Sequence, residues 1–341
     1  MDPIALDWGP DGKLWVVEMA DYPLGLDDRG KPGGRVRFLE DTDGDGEYDK
    51  STLFLDAILY PSGVMAWRDG VLVSAAPEVF FAKDSDGDGK ADVHEVLYRG
   101  FPEGNQQHQV NCFEWGLDNW VYLANGASIG GVIESVKLGQ KIDIRGRDLR
   151  IRPDDGSLDA QIGETQFGRR HDDHGNWFGS SNSLPVQHYV LSDHYLRRNP
   201  LVAAASSRRD IAHSDNTQLF PISRVLSHWS GYRSPQPGKH HRFTSACGTS
   251  VYRDNLFGDD FEWNTFTCAP VHNIVHRRVL VPSGVSFESR RPNDEADVEF
   301  LASTDSWFRP TTVTTGPDGA LWITDMYRLV IEHPEWIDDQ R

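Results

Sequence analysis

The chain is short of cysteine, of positive charge and of long apolar runs, and each shortage removes a class of protein. Only Cys112, Cys247 and Cys268 occur among 341 residues, too few for the dense disulfide framework of a small secreted domain. Cys247 and Cys268 are spaced either to pair across neighbouring strands or to stay as two buried thiols. Lys and Arg total 34 against 52 Asp and Glu, a net charge of −18 with no basic run or stripe, which argues against a nucleic-acid partner. No stretch of about 18 apolar residues exists, so nothing here reads as a membrane-crossing helix. A leader peptide is also missing, yet the chain opens directly in a strand pattern at Pro3-Ile-Ala-Leu-Asp-Trp8, so that absence is no argument for the cytoplasm. There is no Gly-rich phosphate loop, Gly-x-Ser-x-Gly elbow or Cys-x-x-Cys-His string, which disfavours nucleotide binding, lipase-type hydrolysis and covalent haem attachment. Helical periodicity is weak, and 32 glycines with 19 prolines punctuate the sequence, as an all-β chain requires.

What is present is led by two nearly identical acidic loops. Asp41-Thr-Asp43-Gly-Asp45-Gly-Glu-Tyr-Asp49 and Asp84-Ser-Asp86-Gly-Asp88-Gly-Lys-Ala-Asp92 alternate carboxylates with glycines, a pattern that aims several oxygens at one point and suits calcium. The second loop continues to Glu95, completing D-x-D-x-D-G-x5-E, whereas the first has Thr52 there, which makes it the weaker candidate. The flanks read as strands rather than the helices of an EF-hand. A bare Asp-Gly hairpin turn without any ion explains the same residues.

The loops also belong to a repeat. A strand, a turn of Gly with Asp or Asn, and a second apolar strand recur at Trp8-Gly-Pro-Asp-Gly-Lys-Leu-Trp15, Trp67-Arg-Asp-Gly70, Trp115-Gly-Leu-Asp-Asn-Trp120, Asp173-His-Gly-Asn-Trp177, Tyr252-Arg-Asp-Asn-Leu256 and Thr315-Gly-Pro-Asp-Gly-Ala-Leu-Trp322. Six copies about 50 to 60 residues apart mark a propeller, each interval holding the four short strands of one blade. The expected fold is therefore a single domain over residues 1–341, a six-bladed β-propeller of four-stranded antiparallel blades. In the second copy the strands read as Gly63 to Trp67, Val71 to Ala75, Val79 to Lys83 and Val93 to Tyr98, with the aspartate loop between the third and fourth. An irregular insertion from about 196 to 241 lengthens one interval. The last copy stops soon after Leu329, short of an outer strand, which suggests an incomplete final blade and a fragment of a longer protein. Two β-sandwiches have the same strand count, but equal spacing favours the propeller.

Propellers gather functional groups where loops precede the innermost strands, and three segments stand out there. Gly104-Asn-Gln-Gln-His108-Gln-Val-Asn111 offers a histidine among amides, suited to a general base or equally to a loop hydrogen bond. Phe167-Gly-Arg169-Arg170-His171-Asp172-Asp-His174 through Asn182 packs guanidinium, imidazole, carboxylate and amide groups together. Its arginines suit an acidic cofactor or sugar acid, or an Arg-Asp pair pinning the loop; zinc at His171 and His174 is weakly signalled. Alternation across Cys268 to Arg277 suggests a strand presenting His272 and His276 on one face. Arg309, Asp325, Tyr327 and Arg328 occupy similar positions in the sixth copy, and Trp177, Trp307 and Tyr327 suit stacking on a sugar or flat cofactor as well as core packing.

Several long strings occur together: Leu39-Glu-Asp-Thr-Asp-Gly-Asp-Gly, the His108 segment, Asp143-Ile-Arg-Gly-Arg-Asp, His188-Tyr-Val-Leu-Ser-Asp-His-Tyr-Leu-Arg-Arg-Asn-Pro, Phe243-Thr-Ser-Ala-Cys-Gly and Asp325-Met-Tyr-Arg. With them the chain resembles the membrane-bound dehydrogenases of the planctomycete and verrucomicrobial type, a haem-binding family. That resemblance implies a propeller joined, in a longer protein, to helical repeats and a cytochrome c domain, with the haem outside this chain. More distantly the propeller is similar to the soluble quinoprotein glucose and sorbosone dehydrogenases, which use pyrroloquinoline quinone and calcium. His108, eight residues before Gly116-Leu-Asp118, stands where those enzymes have a catalytic histidine, and Phe167-Gly-Arg-Arg170 resembles their cofactor-binding arginine. The resemblance implies that His108 takes a hydroxyl proton while Arg170 steadies the quinone. Arg169, Asn182, His272 and Arg309 are further candidate cofactor contacts by their polar groups and positions in the repeat, not by the resemblance. The expected function is then an extracytoplasmic oxidoreductase acting on a sugar or alcohol. The alternatives are a non-catalytic carbohydrate- or protein-binding propeller stiffened by calcium, and a calcium-dependent hydrolase or lactonase.

Overall fold

The structure, a computed structural model, describes residues 2–27, 29–199, 201–202, 206–212, 218–225, 241–329 and 331. It is built almost wholly of antiparallel strands, because β-branched and aromatic residues alternate with polar ones between Gly, Asp and Pro turns. The one α-helix with a described span is a single turn, α1 (Asp193–Leu196). No helix among the described residues is long and apolar enough to cross a membrane. The chain divides into two compact units, Met1–Ala160 and Gln161–Arg341.

In the first unit, β1 (Pro3–Trp8), β2 (Leu14–Glu18), β3 (Gly34–Glu40) and β4 (Lys50–Ile58) form one sheet in sequence order. The next is β5 (Gly63–Trp67), β6 (Gly70–Ala75), β7 (Glu78–Lys83) and β8 (Val93–Arg99), which match the strands expected from the sequence to within a residue. A third sheet contains β9 (Asn111–Trp115), β10 (Val121–Ala124), β13 (Asp148–Arg152) and β14 (Ser157–Gln161). The hairpin between β10 and β13, β11 (Val132–Ser135) and β12 (Lys141–Asp143), leaves its own sheet and extends the second one through β8. First strand β5 adjoins β1 on one side and β9 on the other. Met65, Leu72, Phe81, Phe113, Leu123, Ile133 and Leu149 build a continuous apolar core between the second and third sheets.

The second unit repeats the plan. Its sheets are β15 (Arg169–His171), β16 (Trp177–Ser181), β17 (Leu184–Tyr189) and β18 (Arg208–Asp210); then β21 (Cys247–Val251), β22 (Asn264–Ala269), β23 (Ile274–Ser283) and β24 (Ser286–Arg290); and the hairpin of β26 (Pro310–Thr315) and β27 (Leu321–Asp325). A short ribbon, β19 (Gln218–Leu219) with β20 (His241–Arg242), stands apart, and β25 (Leu301–Ala302) pairs with β23. Strands β15, β21 and β26 adjoin. Phe178, Val186, Ile211, Val251 and Leu280 pack between the first two of these sheets, and Phe266, Val275 and Val313 between the next pair.

Two expectations change in detail. The stretch from about 196 to 241 is not wholly irregular, since Arg208–Asp210 closes the β15 sheet by pairing with β17; residues 200, 203–205, 213–217 and 226–240 of it lie outside the described residues. The end of the final copy, at 330 and 332–341, lies outside them as well. Cys247 and Cys268 are direct partners across β21 and β22 and both are free thiols.

Candidate functional site

In the first unit the loops that precede β5 and β9 meet the β2–β3 and β10–β11 connections, and His108 lies among them. A tight turn forms first: Gln107 N donates to Asn105 Oδ1 at 2.9 Å and His108 N to the Asn105 carbonyl at 2.9 Å. The turn is then fastened on three sides. Gln107 Nε2 donates to Tyr22 Oη at 2.5 Å, and Gln106 bonds the Tyr60 side chain, whose phenol burial pushes to a higher pKa. His108 Nδ1 meets the Ala127 carbonyl at 3.2 Å. A carbonyl only accepts, so Nδ1 is the donor of this contact.

Behind that carbonyl runs a chain of supports that sequence reasoning missed. Ala127 N donates to Asn125 Oδ1 at 2.7 Å, and Asn125 in turn donates from N to the buried Asp148 carboxylate at 3.1 Å and from Nδ2 to the Arg147 carbonyl at 2.8 Å. Gly126, at φ +83°, lies so close that a Cβ there would stand 2.4 Å from the Gln109 carbonyl oxygen, so only glycine lets the turn press on the histidine segment. The sequence signal was present as Asn125-Gly126 directly after a strand. Asp21, fully buried nearby in the β2–β3 connection, accepts from Gly33 N and Tyr60 N with one carboxylate oxygen, while its other oxygen has no partner among the described residues.

The acidic loops occupy equivalent places, joining β3 to β4 and β7 to β8, and their hydrogen bonds are copies of each other. Asp41 accepts from Gly44 N at 2.6 Å and Gly46 N at 2.9 Å; Asp84 accepts from Gly87 N at 2.7 Å and Gly89 N at 2.8 Å. These backbone donors hold both carboxyls below the usual range. Oxygens of Asp41, Asp43 and Asp45 lie within 4.8 Å of one another, as do those of Asp84, Asp86 and Asp88. Asp49 and Asp92 are turned to Thr42 and Ser85, each receiving a hydroxyl at 2.6 Å. Glu95 stands on β8 opposite Phe81, outside the three-carboxylate group. Ala91 N donates to the Phe54 carbonyl at 2.9 Å, so the second loop is stitched to β4 of the neighbouring sheet.

The candidates of the second unit are dispersed. Arg169 is 1% exposed, donates to the Ile162 carbonyl at 2.5 Å and lies over the rings of Trp177 and Tyr189. Arg170, the next residue on β15, projects to the other face and is half-buried. Asn182 is exposed in the β16–β17 turn, its carbonyl accepting from Ala246 N at 3.1 Å. Arg309, 1% exposed, donates to the carbonyls of Arg328 at 2.8 Å, Pro270 at 2.8 Å and Leu329 at 2.5 Å. His272 and His276 do not share a strand: the chain turns at Pro270–Asn273, with Asn273 at φ +58°, so His272 sits in the turn and His276 on β23. Both are fully buried, and His276 Nδ1 meets Glu299 at 2.7 Å. His171 leans on Trp177 and His174 stacks on Trp263, two different aromatics.

Among solved structures the chain is similar to a candidate oxidoreductase (glucose dehydrogenase) from Thermus thermophilus, at 16% identity and a TM-score of 0.55 over 95% of this chain and 91% of that one. It is similar to a luciferin-regenerating enzyme at 10% identity and 0.54, over 97% and 85%, and to the PQQ-bound aldose sugar dehydrogenase of Streptomyces coelicolor at 14% and 0.51, over 94% and 87%. The quinoprotein glucose dehydrogenase-like neighbours are β-propellers, and identities this low establish the fold alone. No curated protein matches the sequence. Residues 1–341 match the family described as Domain of unknown function (DUF7133), and the chain belongs to that family.

Proposed function

We propose that this chain is a six-bladed propeller of the sugar or alcohol dehydrogenase kind, in which His108 accepts the proton of a substrate hydroxyl. The six blades are the sheets opening on β1, β5, β9, β15, β21 and β26, with β19–β20 as an accessory ribbon. The observation that carries the reading is the His108 ring oriented by Nδ1 on the Ala127 carbonyl, the contact that would make Nε2 the proton-accepting nitrogen of the neutral ring. From its resemblance we further propose an extracytoplasmic setting and a longer protein that supplies a cytochrome c domain as electron acceptor.

Pyrroloquinoline quinone is a planar tricarboxylate, and the residues expected to hold it do not make a site for it. Arg169 and Arg309 direct their donors at main-chain carbonyls, and His272 is fully buried. Arg170 is half-buried, and one guanidinium is a poor match for three carboxylates. No step is therefore drawn through the quinone; His108 accounts for the hydroxyl proton alone, and the hydride of the carbinol carbon requires a two-electron redox acceptor, which the dye-linked assay supplies. The test is dye-linked oxidation of a sugar and alcohol panel with and without added quinone and calcium. His108→Ala should lower turnover about 10²–10⁴-fold with an unchanged melting temperature; full activity in that variant would end the role of His108. Ester or lactone turnover without any added cofactor would move the protein to the hydrolases.

A second reading, a non-catalytic carbohydrate- or protein-binding propeller stiffened by calcium, is supported by the pinned arginines and the duplicated aspartate loops. It predicts saturable ligand binding and no turnover.

A further inference from the structure

We propose that Trp307 and Tyr327, fixed by Asp305, form a platform that binds a neutral saccharide. Trp307 lies in the loop leading into β26 and Tyr327 just past β27, and the Pro310–Asp325 pairing brings both to one end of that hairpin. Their rings touch, with centroids 5.6 Å apart at 40°, yet they stay 44% and 51% exposed.

The surrounding residues fix the Trp307 loop and the Tyr327 phenol in place. Asp305 receives the backbone Trp307 N at 2.9 Å on one oxygen and the Tyr327 hydroxyl at 3.0 Å on the other, so a single carboxylate fixes the Trp307 main chain and the Tyr327 phenol. Asp325 receives Arg309 N at 2.7 Å and Tyr327 N at 2.9 Å. Asn273 Nδ2 donates to the carbonyls of Ser306 at 3.3 Å and Phe308 at 2.5 Å, tying the Trp307 loop to the β22–β23 turn. Tyr327 is kept at φ +44°, a left-handed conformation unfavourable to a bulky residue. Strain and hydrogen bonds that hold two rings in water amount to pre-organisation for a ligand.

The geometry selects the ligand class. Rings in contact leave no gap between them for an ammonium group, which an aromatic cage needs. A protein partner needs about 800 Å² per side, far more than two half-exposed rings supply. A pyranose presents a C–H face to rest on the shelf and a rim of hydroxyls to donate to the remaining lone pairs of Asp305 and Asp325. The assignment deepens the sugar reading above, and binding tests it without turnover.

The experiment is calorimetric titration of the full chain, without quinone, with cellotetraose, xylotetraose, mannotetraose and maltotetraose. One of them should bind with a Kd of about 1 mM or tighter, and Trp307→Ala should weaken it about tenfold or more. Tyr327→Phe and Asp305→Asn should weaken it severalfold at an unchanged melting temperature. Absence of binding by all four, or parental binding by Trp307→Ala, would overturn the platform. Parental binding through Trp307 in a protein without dehydrogenase turnover would sink the catalytic reading and keep this one.

Discussion

The surroundings of Arg309 set what its substitution should do. Arg309 is buried and ties the segment after β27 to the β22–β23 turn through three carbonyls. Replacing it with Met would leave those acceptors buried and unpaired, at about 2–4 kcal/mol of stability. Urea unfolding of the variant checks this, and an unchanged stability would refute the structural role. His188 gives a pH-dependent case. It is buried against Phe178 and Phe287 with Nδ1 on Ser286 Oγ at 2.9 Å, and desolvation depresses its pKa from 6.5 to about 4. The unfolded chain takes up this proton near 6.5 and the folded one only near 4. Stability is therefore intact above about 6.5 and falls as pH drops toward 4. The melting temperature at pH 5 should lie below that at pH 7, with a smaller gap in His188→Gln; an equal gap would exclude this residue as a cause. None of this was legible beforehand: a sequence shows that an arginine or histidine is present, and which carbonyls or rings surround it depends on contacts between strands far apart in the chain.

At the scale of elements the sequence was far more readable. The strands from Gly63 to Arg99 emerge within a residue of expectation because alternation and Asp-Gly turns are both local signals. The failures have a common physical cause. Val271-His-Asn-Ile alternates like a strand, but Pro270 and the left-handed Asn273 turn the chain there. The β11–β12 hairpin, which no sequence motif assigned to a sheet, lies in the chain between strands of the third sheet and pairs with β8 of the second, a choice that tertiary packing makes. The aspartate loops were legible as motifs, and the structure adds that the second is stitched to β4 through Ala91 and Phe54. An ion held there would therefore brace two neighbouring sheets. Calcium should raise the melting temperature, and Asp86→Ala with Asp88→Ala should remove part of the rise. The same pair of changes at Asp43 and Asp45 should remove a comparable share, because both loops gather three carboxylates within 4.8 Å and Glu95 stands outside the second group. No rise in the parent protein would eliminate both sites.

For the whole molecule the governing quantity is the charge of −18. Self-repulsion of that size destabilises any compact state, and it offers calcium a trivial route to stabilisation, by screening alone. The two routes separate by salt. At 0.15 M ionic strength the Debye length is about 8 Å, so general repulsion is already damped, whereas three carboxylates within 4.8 Å still act on one ion. Added sodium chloride should raise the melting temperature of the calcium-free protein and then level off. Calcium added on top of 0.15 M salt should raise it further, and magnesium should do so less, since its small octahedral shell fits an open loop poorly. Equal effects of calcium and magnesium, both vanishing in salt, would reduce the aspartate loops to ordinary turns and leave the charge of the chain as the whole explanation.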